Sequence, residues 1–316
     1  MALFLLLSIL LQAVLMGAYT KAGNGQDTVY LAYVEDFKIM VLADLQFLNA
    51  EECEAGFILI DKMVAAEAPH LIVLTGDNVM APNDMELVEQ WIAHMESYGI
   101  PWAPVFGNHD TEGGVRKGRF AKAFAKAEHC LFLRGKPGVR GCGNYKIHLM
   151  NGRDIHYTLF LMDSNGKRRY GTRSGWDYIH PSQIKWYRKG VESTRRPDGS
   201  AVDSLVFFHI PLPEYEPARQ MLCTGRAAGF GVFGEEISCP ERNTGFFEVM
   251  QELGSTKAVF CGHDHLNHCD IEYEGIRLNF CLKSSRSSYF DEALLGVTTV
   301  TVAADNTLEI RQHPFP

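Results

Sequence analysis

Short apolar runs alternate with stretches of helical spacing along the first half of the chain. Phe37 to Ala43 is a run of strand length that stops at Asp44, and Glu54 to Glu67 follows with helical spacing until Pro69 breaks it. Leu71 to Leu74 reads as a second buried strand, ending at Gly76-Asp77-Asn78. Asp84 to Tyr98 is helical, with Asp84 placed to cap it, and Trp102 to Phe106 is a third strand, ending at Gly107-Asn108-His109-Asp110. Arg116 to His129 is helical again. Strand–helix–strand units of this length predict an α/β chain, a sheet covered by helices.

The second half carries more strand character. Tyr145 to Met150 and Ile155 to Met162 flank Asn151-Gly152, the pair preferred in a tight hairpin. Pro181 opens a short helix through Tyr187, and Val202 to Phe208 is a strand ending at His209-Ile210-Pro211. The stretch from Leu212 to Thr244 is rich in Gly and Pro and reads as a long loop, either a functional rim or a stapled insertion. Gly245 to Leu253 reads as a helix, Lys257 to Cys261 as a strand ending at Gly262-His263-Asp264-His265, and Cys269 to Tyr273 with Ile276 to Cys281 as a hairpin. No repeat or linker interrupts residues 23–316, which read as a single domain.

Five strands thus end in residues that bind divalent metals: Asp44, Asp77, Asn108, His209, and the pair His263 and His265. Taken singly, each has a plainer reading. An Asp at a strand end is usually a turn or cap residue, and His209 alone would be a satisfied buried histidine. The set is more specific, because ligand sites form beyond the carboxyl ends of strands in α/β proteins. Carboxylate, imidazole and amide oxygen suit Mn, Fe or Zn rather than a thiolate site. Six such ligands are too many for one tetrahedral ion and suit two ions sharing a carboxylate, an arrangement known to cleave phosphoesters.

Composition narrows the partners. Apolar residues make up 46% and charged residues 22%, so the chain can bury a core. A net charge of −8 gives no basic excess to track a nucleic-acid backbone, so bulk nucleic-acid binding is not expected. Ala2 to Met16 is almost wholly apolar, with small residues following at Gly17, Ala18 and Ala22. That pattern predicts a signal peptide over residues 1–22 and a secreted or extracytoplasmic protein, although no Lys or Arg precedes the run. An uncleaved signal anchor is the alternative, and it would add the one membrane span. Export would let some of the eight cysteines pair. Cys130 with Cys142 and Cys223 with Cys239 would each close a Gly-containing loop, whereas Cys261 sits in an apolar run and reads as a buried thiol. No N-x-Ser/Thr sequon occurs.

The five segments resemble the signature blocks of the calcineurin-like metallophosphoesterases: D-x-H, G-D-x-x, G-N-H-D/E, a lone His after a strand, and G-H-x-H. Leu74 to Asn78, Val105 to Asp110, Phe208 to Tyr215 and Val259 to His265 are most similar to the small purple-acid-phosphatase-like subgroup, as is Tyr178 to Trp186 before the lone-His strand. The resemblance implies a four-layer α/β/β/α sandwich of two mixed β-sheets, with the metal site at the strand C-terminal ends. It implies that Asp77 bridges two divalent ions, that Asp44 and His265 complete one site, and that Asn108, His209 and His263 complete the other. Attack would come from a metal-bound hydroxide on a small phosphorylated substrate. His109 would stabilise the phosphate or protonate the leaving group, with Asp110 orienting its ring.

Two positions depart from the pattern. Asp44-Leu45-Gln46 stands where the family has D-x-His, and Gln46 is a poorer ligand than imidazole for Zn or Fe. Met80 stands where the purple enzymes carry a tyrosine, so no tyrosinate ligand and no purple colour are expected. Lys167-Arg168-Arg169 and His268 read as loop residues, Lys283 to Ser288 as a possible pocket edge with Arg286 in it, Trp176 and Tyr178 as core or rim packing, and Tyr215 with the 212–244 stretch as shaping the substrate side. The expected function is a secreted metal-dependent phosphatase or phosphodiesterase. A secreted binding protein that keeps metal but has lost turnover through Gln46 is the alternative.

Overall fold

Every residue of Leu71–Leu74 and of Ser204–Phe207 is buried, as a strand covered on both faces requires. In the computed structural model, which describes residues 19–21, 26–80 and 82–316, these two strands lie in different sheets. The apolar segment from Ala2 to Met16 and its small-residue zone at Gly17, Ala18 and Ala22 lie outside the described residues.

Numbered along the chain, the first strands are β1 (Tyr19–Lys21), β2 (Thr28–Ala32), β3 (Phe37–Leu42), β4 (Leu71–Leu74), β5 (Trp102–Pro104), β6 (Tyr145–Asn151), β7 (Asp154–Leu161), β8 (Lys167–Tyr170) and β9 (Arg173–Trp176). The rest are β10 (Ser204–Phe207), β11 (Gly229–Phe233), β12 (Thr256–Cys261), β13 (Asn267–Tyr273), β14 (Ile276–Phe280), β15 (Gly296–Val302) and β16 (Leu308–Pro314). Among the described residues the α-helices are α1 (Ala50–Glu67), α2 (Glu86–Ser97), α3 (Lys117–Phe124), α4 (Pro181–Glu192), α5 (Tyr215–Cys223) and α6 (Phe246–Leu253).

One sheet runs β1-β2-β6-β7-β10-β12-β14-β13-β11, the other runs β16-β15-β3-β4-β5, and β8 pairs only with β9. Both large sheets are mixed: β7, β10, β12 and β14 are mutually parallel, as are β3, β4 and β5, with antiparallel strands outside them. Alternation along β10 reveals the layers. Leu205 and Phe207 join a core shared with the five-stranded sheet and α1 to α3, whereas Val206 and the following Phe208 join a second core with α4, α5 and α6. Ala258 and Phe260 divide from Val259 and Cys261 along β12 in the same way. The result is the four-layer α/β/β/α sandwich.

Several boundaries move for local reasons. Helix α1 starts at Ala50 because Asn49 caps it, its side-chain oxygen accepting from Glu52 N at 2.9 Å. The 212–244 stretch is not a loop throughout: α5 and β11 form within it. Lys167, Arg168 and Arg169 belong to the β8–β9 hairpin. Tyr215 is fully buried, donating to the Asn279 carbonyl at 3.1 Å, and so packs the core instead of meeting substrate.

All eight cysteines are free thiols, so the expected Cys130–Cys142 and Cys223–Cys239 bonds are not formed. Cys130 is buried beside Trp102 at the start of β5, while Cys142 N donates to Asp163. Cys223 ends α5, and the chain then runs out through β11 before Cys239. Titration of the unfolded, unreduced protein with Ellman's reagent should therefore count eight thiols; six would restore one of the two bonds.

A buried carboxylate ties β2 to the second core. Asp27 accepts from the Trp186 indole at 2.6 Å and pairs with Lys146 and Lys136 at 3.2 Å each. Burial pushes its pKa up, but the indole and the two ammoniums outweigh this and hold it at about 2, below the ordinary 3.8. A carboxyl lowered on folding stabilises the native state above its unfolded pKa and loses that contribution as pH falls. The stability gap between wild type and Asp27→Asn, read from urea unfolding, should shrink as pH drops from 3.8 towards about 2.

Candidate metal centre

The parallel strands β3, β4 and β5 of one sheet and β10 and β12 of the other deliver their following residues to one place. Backbone conformation then turns the side chains inward. Asp44, Gln46, Asp77 and His263 have φ of 53°, 47°, 50° and 81°, left-handed values that cost non-glycine residues about 1–3 kcal/mol each. Glycines make room for the carboxylates: a Cβ on Gly107 would lie 2.1 Å from Asp77 Oδ1, and one on Gly262 would lie 2.3 Å from Asp44 Oδ2.

Ligand atoms of Asp77, His209 and His263, all buried, lie within 4.8 Å of one another, and among the described residues no other group of three or more acidic, His or Cys side chains is so placed. His209 Nε2 is the hub. It stands 3.2 Å from Asp77 Oδ2, 3.1 Å from Asn108 Oδ1 and 3.2 Å from His263 Nδ1. Its other nitrogen, Nδ1, faces the Thr75 carbonyl at 3.0 Å, which commits the Nδ1 proton and leaves Nε2 as a lone pair in the neutral ring. Lone pairs gathered this closely call for a cation among them.

Electrostatics agree. Burial alone would lower the His209 pKa, but Asp77 and then Asp44 raise it to about 9, so a proton is drawn to the place where positive charge is wanted. Asp77 itself is raised by burial yet falls well below the carboxylate range because of His209. Burial first, then neighbouring cations, lower His263 strongly and His265 to about 3, which keeps both imidazoles neutral, the state a metal ligand needs. Asn108 Nδ2, His263 Nε2 and Gln46 Oε1 are buried without a partner. The residues around His209 therefore fit a divalent ion.

The opposite side is barer. Asp44 accepts from His263 N at 3.0 Å and stands 3.7 Å from His265 Nε2. His265 Nδ1 faces the Tyr289 carbonyl at 2.9 Å, and its ring stacks on that tyrosine. Gln46 is buried here, but its amide nitrogen donates to Asp77 Oδ2 at 3.0 Å.

His109 and Asp110 part company. The Asp110 carboxylate accepts from Asn78 N, Val79 N, Gly107 N and Asn78 Nδ2, at 2.8 to 3.2 Å, and is fully buried. It ties two site loops together and does not orient the His109 ring. Glu112 does: its Oε2 meets His109 Nδ1 at 2.5 Å, while its Oε1 accepts from Lys167 at 2.9 Å. The i,i+3 spacing across the short 3-10 turn His109–Thr111 was the available signal. Asn108, Glu112, Lys117, Arg140 and Lys167 line an open cleft of about 490 Å³ beside the centre. Trp176 packs edge-on against His263 with ring centres 4.3 Å apart, a rim contact as expected. His268 lies on β13 beside Phe230, and Arg286 pairs with Glu292 at the surface.

A two-sheet sandwich with buried carboxylates and imidazoles at the strand ends is the build of the calcineurin-like metallophosphoesterases, and this chain belongs to that family. The calcineurin-like phosphoesterase family matches residues 37–267. A probable inactive purple acid phosphatase 29 of Arabidopsis thaliana is 27% identical over 278 residues, covering 77% of this chain and 70% of that protein. The phosphatase DCR2 of Saccharomyces cerevisiae is 29% identical over 258 residues, covering 73% of this chain and 44% of that protein. Among solved structures, a dimetal phosphatase from Danio rerio superposes with a TM-score of 0.57 at 13% identity, covering 86% of this chain and 94% of its own, a likeness of fold.

The two acids beside His109 should separate on mutation. Asp110→Asn replaces an acceptor of four bonds and should cost about 2 kcal/mol or more in urea unfolding. Glu112→Gln, at a partly exposed ion pair, should cost about 0.5 kcal/mol or less and act on turnover instead.

Proposed function

We propose that this chain is a secreted metal-dependent phosphoesterase that hydrolyses phosphate monoesters or diesters. The observation that carries the reading is the convergence of Asp77, Asn108 and His263 on His209 Nε2, within 3.2 Å. These four residues would hold one ion, and Asp44 and His265, with Asp77 shared and Gln46 alongside, a second. Mn, Fe or Zn suits this donor set. Divalent ions there supply charge to the phosphate oxygens and acidify a coordinated water.

The chain's own groups do the remainder. His109, held at Nδ1 by Glu112, keeps Nε2 free to hand a proton to the leaving oxygen. Lys117 is anchored by Asp163 at 2.6 Å and Lys167 by Glu112, so the cleft's ammoniums are held in place, each offset by its carboxylate. Trp176 covers one edge of the His263 ring. Export rests on the apolar N-terminal segment, with cleavage near residue 22. No helix of the described residues is long and apolar enough to cross a membrane.

A second reading has its own observation. Gln46 turns its amide nitrogen to Asp77 where the family has an imidazole, which favours a protein that keeps metal and has lost turnover. The test is hydrolysis of p-nitrophenyl phosphate and its bis-ester by metal-stripped protein resupplied separately with Mn, Fe and Zn. Metal-dependent turnover that falls about 100-fold or more in His109→Ala supports the phosphoesterase. No turnover with any metal, on protein that binds the ions tightly, supports the binding protein.

A further inference from the structure

A second cavity, of about 450 Å³, is lined by α4, by the loop from Lys136 to Val139, and by Asp27 and Lys146. That volume lies within the range of small-molecule sites. The cavity shares no lining residue with the cleft beside the metal centre, although its loop continues into Arg140 and Gly141 of that cleft. One face of α4 supplies a wall: Lys185, Trp186, Lys189 and Gly190 fall at the three- and four-residue spacing that aligns side chains along a helix.

Charge here is unlike that of the chain as a whole. A protein of net charge −8 places four lysines around this cavity, Lys136, Lys146, Lys185 and Lys189, against one carboxylate, Asp27. Asp27 is already committed to the Trp186 indole, Lys136 and Lys146. The Lys146 side chain is 9% exposed, and among the described residues Asp27 alone accepts from its ammonium, which carries three N–H donors. Burial lowers the Lys146 pKa, and Asp27 restores only part of the loss. Among the described residues Lys185 and Lys189 form no ion pair, whereas Arg188 between them turns to Glu252. Like charges four residues apart weaken a helix, so this pair does not serve the fold. Pro137, Val139 and Trp186 give the same cavity apolar surface, and a bare inorganic ion would leave most of the space unfilled.

We propose that this cavity is a binding site, separate from the metal centre, for a small organic anion that carries a phosphate or sulfate group. The charged group sits among the four ammoniums, and the organic part lies against Pro137, Val139 and Trp186. The inference goes beyond the phosphoesterase reading and uses none of its residues.

The probe is 1-naphthyl sulfate, because a sulfate ester is outside the substrate class proposed for the metal centre. Calorimetric titration of the full chain at low salt should find one site with a dissociation constant below about 1 mM. In NMR spectra the Trp186 indole N–H should shift, while those of Trp91 and Trp102, in the other core, stay in place. Lys185→Gln with Lys189→Gln should weaken binding about 10-fold or more. Lys122→Gln with Lys126→Gln removes the same charge at and just beyond the end of α3 and should change it less than about 2-fold. All four lysines are exposed, so neither double variant puts the fold at risk. Inorganic sulfate and 1-naphthol should each bind about 10-fold more weakly than the ester or less. Equal losses in the two double variants, a Trp186 resonance that does not move, or sulfate or naphthol binding as tightly as the ester would overturn the inference. Absence of phosphoesterase turnover leaves it untouched, since every readout is of binding.

Discussion

Two hydrogen bonds across the gap between the sheets hold the strand ends in register. His209 Nδ1, beyond β10, meets the Thr75 carbonyl beyond β4, and His263 N, beyond β12, donates to the Asp44 carboxylate beyond β3. Each joins a loop of the nine-stranded sheet to one of the five-stranded sheet. A slip of either sheet by one residue would turn the inward side chains outward, because strand side chains alternate with period two. The layering set by Leu205, Phe207, Ala258 and Phe260 thus fixes where the imidazoles land as well as where the core is.

The same loops show how buried charge is tolerated. Asp110 is stabilised by three backbone N–H groups and one amide, Asp77 by His209 and by the backbone of His109, and Asp44 by His209, Lys283 and His263 N. Burial still outweighs these partners at Asp110 and Asp44, whose carboxyls stay raised to about 7 and about 6, whereas Asp77 falls well below the carboxylate range. The left-handed backbone at Asp44, Gln46, Asp77 and His263 is the conformational cost of bringing these groups together, and the packed sheets on either side sustain it.

How much of this was legible depended on what each residue's own neighbours along the chain reveal. Strands such as Leu71–Leu74 are uniformly apolar and stand out, and so did the polar residues that end them. The β2 strand and the β8–β9 hairpin were missed because charged or exposed residues interrupt their alternation, and β11 because Gly229 and Gly231 do. Helix α5 was hidden by the prolines that precede and enter it. At the site, residue types were readable but pairings were not. Asp110 looks like the partner of its neighbour His109, yet its carboxylate accepts from three backbone N–H groups of two loops, and Glu112 takes the ring. Lys283 reads only as part of a possible pocket edge, since nothing in its local sequence says that the Asp44 carbonyl takes its ammonium.

Gly107 and Gly262 give the site an uneven tolerance to evolutionary drift. A single methyl group at either position would land within 2.3 Å of a carboxylate oxygen of Asp77 or Asp44, so those positions cannot wander without dismantling the pocket. Gln46 has no such bound: its oxygen touches no partner, and exchange to histidine alters one side chain on an already left-handed residue. An exchange at Gln46 therefore changes what faces Asp77 Oδ2 and leaves Gly107, Gly262 and the two carboxylates they accommodate as they are.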